Sequence, residues 1–191
     1  LGYGMYMKIK GAIDRKRPGV DDREPWPALS AKDQREMDHA VAMLREAADQ
    51  GHMWAQSHVG NIYDFGFGVA KDDRLALMYY EKAARQGHCA GQHNAGVCYR
   101  DGRGCEQSYE RAAHWYEKAA SQDHAAAIGM LGVLHYNGEH FPQNYERALE
   151  LIRKSARQTA HFHPQHGNTD PTTGKPRCLR LPELAAALHK R

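Results

Sequence analysis

The stretch Val59-Gly60-Asn61-Ile62-Tyr63-Asp64-Phe65-Gly66-Phe67-Gly68-Val69 decides the fold, because its outline returns twice along the chain at one fixed period. Gly60, Gly96 and Gly132 stand 36 residues apart, as do Gly66, Gly102 and Gly138, and then Ala76, Ala112 and Ala148. The pairs Tyr79-Tyr80, Trp115-Tyr116 and Leu151-Ile152 keep the same register, followed by Lys82-Ala83-Ala84, Lys118-Ala119-Ala120 and Lys154-Ser155-Ala156. A fixed period of this length marks stacked supersecondary elements, none of which can bury its apolar face alone. Ahead of the three full copies, Ala40 through Met43-Leu44 and Ala47-Ala48 to Gln50-Gly51-His52 supplies a half-copy at the same spacing.

Each copy reads as two helices. The first covers about 53–64, 90–101 and 125–136, where Ala55/Gly91/Ala127, Val59/Ala95/Leu131, Gly60/Gly96/Gly132 and Tyr63/Tyr99/His135 recur on one helical face. A glycine inside a helix costs about 1 kcal/mol relative to alanine, and the chain accepts it three times at one position. Close backbone approach by another helix is the expected compensation. The second helices run over about 72–86, 109–121 and 145–158, with Asp72, Ser108 and Asn144 placed to accept their first backbone N–H groups. Between the two helices lie Gly66-Phe67-Gly68, Gly102-Arg103-Gly104, and Gly138 with Pro142, which permit positive φ or stop a helix.

These residues resemble the Sel-1-like repeat family, helical repeats related to the tetratricopeptide repeat. The resemblance rests on Val59 to Val69 together with Ala76, Tyr79-Tyr80 and Lys82-Ala83-Ala84-Arg85-Gln86-Gly87-His88, in register over two further copies and covering about 35–160. It implies an all-α fold, a right-handed superhelical solenoid of helix-turn-helix repeats. The third copy departs from the pattern with His135 for Tyr, His140 for the second turn glycine and Thr159-Ala160 for Gly-His, so a looser turn is expected there. The organisation read from the chain is a degenerate first helix plus an inserted loop over 1–30, a repeat array over 31–160, and an irregular basic C-terminal cap with a short helix over 161–191. Within the array the half-copy is 31–52 and the full copies are 53–88, 89–124 and 125–160. The loop carries Arg17-Pro18-Gly19 and Pro25-Trp26-Pro27. It ends at Ser30-Ala31-Lys32-Asp33, a capping-box-like start for a helix with Met37, Ala40, Val41, Leu44, Ala47 and Ala48 on one face.

With 191 residues, 41% hydrophobic and 26% charged, the chain has room for one domain or one short array. Its longest run without a charge or a strong turn signal, Ala125 to Leu134, is far short of the ~20 residues of a membrane-spanning helix. The net charge of +3 is uneven. Residues 31–150 hold 12 Lys and Arg against 17 Asp and Glu, whereas 151–191 hold 8 against 2. The basic tail favours a solvated terminus over contact with nucleic acid.

Residues with the chemistry for a site are few. His161-x-His163-x-x-His166, with Cys178 beyond, offers imidazole and thiolate groups for zinc, but no second close cysteine or carboxylate pair completes a tetrahedral set. This tail supports an alternative reading as a metal-binding or regulatory protein. His52, His88 and His124 recur where one copy passes to the next and read as structural. Cysteine-rich members of the family staple successive copies from the second Ala of Lys-Ala-Ala to a position eight residues on. Here those positions hold Ala84 and Gln92, and Ala120 and Ile128, and the missing staple favours a reducing compartment such as the cytoplasm. No nucleophile elbow, phosphate-cradling loop after a strand or His-Glu-x-x-His element is present, so neither an enzyme nor a cofactor is expected.

What remains is surface. The resemblance implies a non-enzymatic protein-protein interaction scaffold or adaptor, holding a peptide segment or partner subunit on the concave face lined by the first helices. Carried over by position, the expected contacts are Trp54, Ser57, Asn61, Asp64 and Phe65 in the first copy, His93, Val97, Arg100 and Asp101 in the second, and Val133, Tyr136 and Asn137 in the third. Trp54 has two readings, an aromatic anchor in the groove or a side chain packed under the preceding helix. Pairing of exposed array ends would give a homo-oligomer.

Overall fold

The computed structural model describes residues 30–160 and, ahead of them, Gly4 alone. The degenerate first helix, the inserted loop and the C-terminal cap therefore lie outside the described residues. Residues 30–160 are all-α, a helical repeat solenoid of seven helices. The chain divides into two compact units, Leu1–Ser108 and Tyr109–Arg191.

The first compact unit holds α1 (Ala31–Asp49), α2 (Met53–Phe65), α3 (Asp73–Arg85) and α4 (Cys89–Asp101), each packed on the next. Ser30 starts α1 as its sequence suggests, its Oγ accepting from the Asp33 N–H at 3.1 Å. Met37, Ala40, Val41, Leu44 and Ala48 form the buried face of that helix, while Ala47 is only half-buried. Asp72 caps α3, its carboxylate accepting from the Arg74 and Leu75 N–H groups at 2.9 Å each. The core lies between successive helices and is dominated by Val59, Ile62, Ala76, Tyr80, Ala83, Ala95 and Cys98.

Gly60 is buried between α2 and α3, but its neighbour is a side chain rather than a backbone. A Cβ there would stand 2.5 Å from Cδ1 and 2.6 Å from Cε1 of Tyr80. The expectation of helix backbone pressed on this glycine is corrected for the first copy, where the missing Cβ makes room for an aromatic ring. Backbone approach of that kind occurs at Gly91, whose Cβ would be 3.2 Å from the Ala84 nitrogen and 3.3 Å from the Tyr80 carbonyl oxygen.

The second compact unit holds α5 (Tyr109–Ala120), α6 (Ala125–Asn137) and α7 (Tyr145–Ala160). Gly132 of α6 does face backbone: its Cβ would be 3.2 Å from the Ala148 carbonyl oxygen and 2.9 Å from Ile152 Cγ1. Asn144 caps α7 by accepting from the Arg147 N–H at 2.9 Å. The turn between α6 and α7 keeps its shape despite the loss of the second glycine, because His140 itself takes a left-handed φ of 66°. The looser turn expected of this copy is thus replaced by a strained one, with the imidazole edge-on to Phe141 at 4.6 Å.

One tie recurs in every copy. The N–H groups of Asp72, Ser108 and Asn144 donate to the carbonyl oxygens of Tyr63, Tyr99 and His135 at 2.9, 2.8 and 2.9 Å. Within the first compact unit α3 is thereby started from a fixed point on α2, and within the second α7 from a fixed point on α6.

Candidate functional site

Among the described residues, the exposed face of α2 is set by helical spacing. Trp54, His58, Asn61 and Phe65 follow one another at i, i+4, i+7 and i+11 along one side. Trp54 is 64% exposed and Phe65 is 45% exposed, so both large aromatic surfaces face solvent. Of the two readings of Trp54, packing under the preceding helix is excluded by this exposure. Its indole meets the imidazole of His88 edge-on at 4.7 Å. Beside it an open cleft of about 830 Å³ is lined by Met43, Ala47, Met53, Trp54 and His58. At the other end Phe65 stacks on Phe67 with centroids 5.1 Å apart.

Between the aromatics lies a polar centre. Asn61 Oδ1 accepts from the Tyr80 hydroxyl at 2.8 Å and from Asn94 Nδ2 at 3.2 Å, which brings α4 alongside α2. His93 Nδ1 lies 3.1 Å from Asn94 Oδ1. The Tyr80 hydroxyl also reaches Asp64 at 3.2 Å, and Asp64 is ion-paired with the Arg103 guanidinium from the turn after α4. Burial, with Asp64 beside it, pushes the Tyr80 phenol well above its ordinary pKa, so it remains a donor. Burial, the largest influence, pulls the Arg103 guanidinium down, and the Asp64 carboxylate together with Cys98, Asp101 and Tyr80 outweighs it to leave the pKa raised. Arg100 is held by its neighbour, Nε to Asp101 Oδ1 at 2.6 Å and Nη2 to Oδ2 at 2.9 Å. These charges are matched in pairs, so the face carries little net field.

The side chains expected at this surface divide accordingly. Ser57 and Asp64, 4% and 7% exposed, turn inward and are corrected from partner contacts to parts of the core. Asn61, His93, Val97 and Arg100 are half-buried, and Asp101 is exposed. In the second compact unit Val133 and Tyr136 are half-buried, Asn137 is exposed, and Tyr136 meets Tyr145 edge-on at 5.4 Å.

The structural reading of His88 and His124 is given its content by the structure, whereas Gln56 and Gln92 were missed by sequence reasoning. His88 and His124 are helix caps, their Nδ1 atoms accepting from the N–H groups of Gly91 at 3.1 Å and Ala127 at 3.3 Å. The signal was their position one residue ahead of a first helix. Gln56 and Gln92 are buried, with Nε2 donating to the carbonyl oxygens of Ala48 at 3.0 Å and Ala84 at 3.2 Å. Two glutamines 36 residues apart on a buried face were the available clue.

No group of three or more His, Cys, Asp or Glu side chains able to hold a metal occurs among the described residues. The weak metal candidates His161, His163 and His166 lie outside them, as does Cys178. No helix of the described residues is long and apolar enough to cross a membrane.

The same architecture is found in known proteins. The family model described as Sel1 repeat matches residues 32–52, 55–88, 89–124 and 125–159, about two thirds of the chain. A Sel1 repeat protein from Oxalobacter formigenes is similar, at 36% identity and a TM-score of 0.59 over 66% of this chain and 51% of that one. So is c5321, a protective antigen of uropathogenic Escherichia coli with an SLR fold, at 27% identity and a TM-score of 0.63 over 82% of this chain and 30% of that one. The chain thus spans about half the length of the first and under a third of the second. No curated protein matches it. Sel1 repeat proteins are generally protein-interaction scaffolds and typically non-catalytic. On four matched repeats and the helix pairs that carry them, this chain belongs to the Sel1 repeat family.

Proposed function

We propose that this protein is a non-enzymatic adaptor whose first compact unit holds an extended peptide segment of a protein partner along the exposed side of α2 and α4. The carrying observation is the placement of Trp54 and Phe65 at the two ends of one helix face, with the Asn61–Asn94 pair between them. Eleven residues of helix put the two aromatics roughly 16 Å apart, the reach of about five residues of extended chain. Trp54 and Phe65 take apolar side chains of the peptide. Asn61 Nδ2, which has no partner among the described residues, donates to its backbone carbonyls. His93 and Val97 form the α4 wall, with Arg100 and Asp101 at its end. Val133, Tyr136 and Asn137 supply a second contact surface in the other compact unit.

The partner in this reading is a protein rather than a nucleic acid, since residues 31–150 carry a net −5 and the basic groups on the face are already paired. The absence of catalysis follows the same logic, because Tyr80, Asp64 and Arg103 are directed at one another.

Selection from a phage-displayed random peptide library tests the proposal. The expected result is enrichment of peptides with apolar residues four or five positions apart, and loss of most binding in Trp54→Ala and Phe65→Ala variants of unchanged helicity. Selected peptides that bind both variants as well as the parent would place the contact elsewhere, and a chain that self-associates in light scattering without selecting peptides would make its partner a second copy.

A further inference from the structure

Cys98 stands in the last turn of α4 and is fully buried, and Cys105 follows seven residues later, half-buried. The chain turns back sharply between them. The N–H groups of Gly102 and Arg103 both donate to the Cys98 carbonyl oxygen, the latter at 2.9 Å. This return brings Cys105 Sγ to 3.8 Å from that same oxygen. The neighbouring repeats make the same return, Phe67 N–H to Ile62 and Glu139 N–H to Leu134, both at 3.0 Å. At the positions equivalent to the two cysteines they carry Ile62 with Val69 and Leu134 with Phe141. One repeat alone has replaced both members of this apolar pair, and both replacements are thiols.

We propose that Cys98 and Cys105 form an intramolecular disulfide on exposure to a low-molecular-weight disulfide oxidant, making the turn after α4 a site of reversible oxidation. The more accessible Cys105 thiolate attacks one sulfur of the oxidant and releases one small-molecule thiol. Cys98 Sγ, as thiolate, then attacks Cys105 Sγ and expels the second. The protein loses two electrons and two protons, which the oxidant carries away as two thiols. Arg103 lies inside the ring so closed, and the link pins the turn from which it reaches Asp64 of α2.

Burial pushes the Cys98 thiol up to about 12, with Arg103 opposing. The second step therefore waits on the Cys98 thiolate and accelerates about tenfold per pH unit.

The test uses the whole chain treated with oxidised glutathione, blocked with iodoacetamide and digested with trypsin, which separates Cys98 from Cys105 by cutting at Arg100 and Arg103. Because one tryptic peptide carries both Cys89 and Cys98, the Cys89→Ser/Cys178→Ser variant is run beside the parent. The expected product is a peptide pair joined through Cys98 and Cys105 in both proteins, cleaved by dithiothreitol, absent from a Cys105→Ser variant, and formed faster as pH rises. Glutathione remaining on Cys105 unresolved, a link from Cys105 to Cys89, or two alkylated thiols would each overturn the proposal.

Discussion

Gln92 donates through Nε2 to the carbonyl oxygen of Ala84 at 3.2 Å, across the junction between α3 and α4. Gln56 does the same to Ala48 at 3.0 Å across the junction between α1 and α2. In both cases the partners are eight residues apart, the spacing at which cysteine-rich members of the family carry a covalent staple. Where those members use a disulfide, this chain uses a buried amide that satisfies a carbonyl at the end of the preceding helix. Gln92→Ala is expected to cost about 1 kcal/mol, since it removes a buried hydrogen bond between the two helices and leaves the Ala84 carbonyl only its backbone donor, the Gly87 N–H at 3.0 Å. A urea unfolding midpoint equal to the parent's would show the bond to be dispensable.

Gly104 and His140 occupy the same turn position with left-handed φ of 73° and 66°, and substitution should act in opposite directions. A Cβ on Gly104 would run into the Asp73 carbonyl and its backbone, so Gly104→Ala should destabilise by about 2–3 kcal/mol. His140→Gly should stabilise by about 1 kcal/mol through relief of the left-handed penalty. Thermal melts of the two variants check the signs.

Asp64 is buried and its counter-charge comes from Arg103. Removing the guanidinium by Arg103→Met strands a carboxylate between Tyr80 and α2, at an expected cost of about 3 kcal/mol. Adding Asp64→Asn should return part of that loss. A double-mutant cycle with no coupling would show that the two side chains act independently.

His88 caps α4 only while Nδ1 is an acceptor, which requires the neutral ring with its proton on Nε2. Burial holds its pKa below the ordinary value of 6.5, and burial together with His88 does the same for His58. The folded state therefore binds protons less readily than the unfolded chain. The contribution is fully present above the unfolded pKa of about 6.5 and is lost as pH falls through the lowered folded value. His88→Asn, which keeps a capping acceptor without a titrating group, should flatten the fall in stability between about pH 7.5 and pH 5. Urea titrations at the two pH values measure it, and an unchanged slope would assign the acid sensitivity to other groups.

The period, the pairing of helices within each repeat and the caps at Ser30, Asp72 and Asn144 were legible in the sequence, because each depends on local spacing and on side chains that bond their own backbone. The family pattern put Phe65 at the surface but left Trp54 with two readings, between which only its exposure in the structure decides. The burial of Ser57 and Asp64 was not legible, since a stripe on a helical wheel does not say how far the neighbouring helix wraps around it. Here Tyr80 of α3 and Arg103 of the turn after α4 close over Asp64. Gly60 and Gly132 carry the same message in sequence, yet one accommodates the ring of Tyr80 and the other the backbone of α7. A helical repeat array follows from the amino-acid order alone, through a periodicity that any stacked helix pair must obey. Packing between elements settled which side chain fills each gap, which charge finds its counter-charge and which residues remain exposed, because these depend on contacts between residues 16 to 39 apart in the chain.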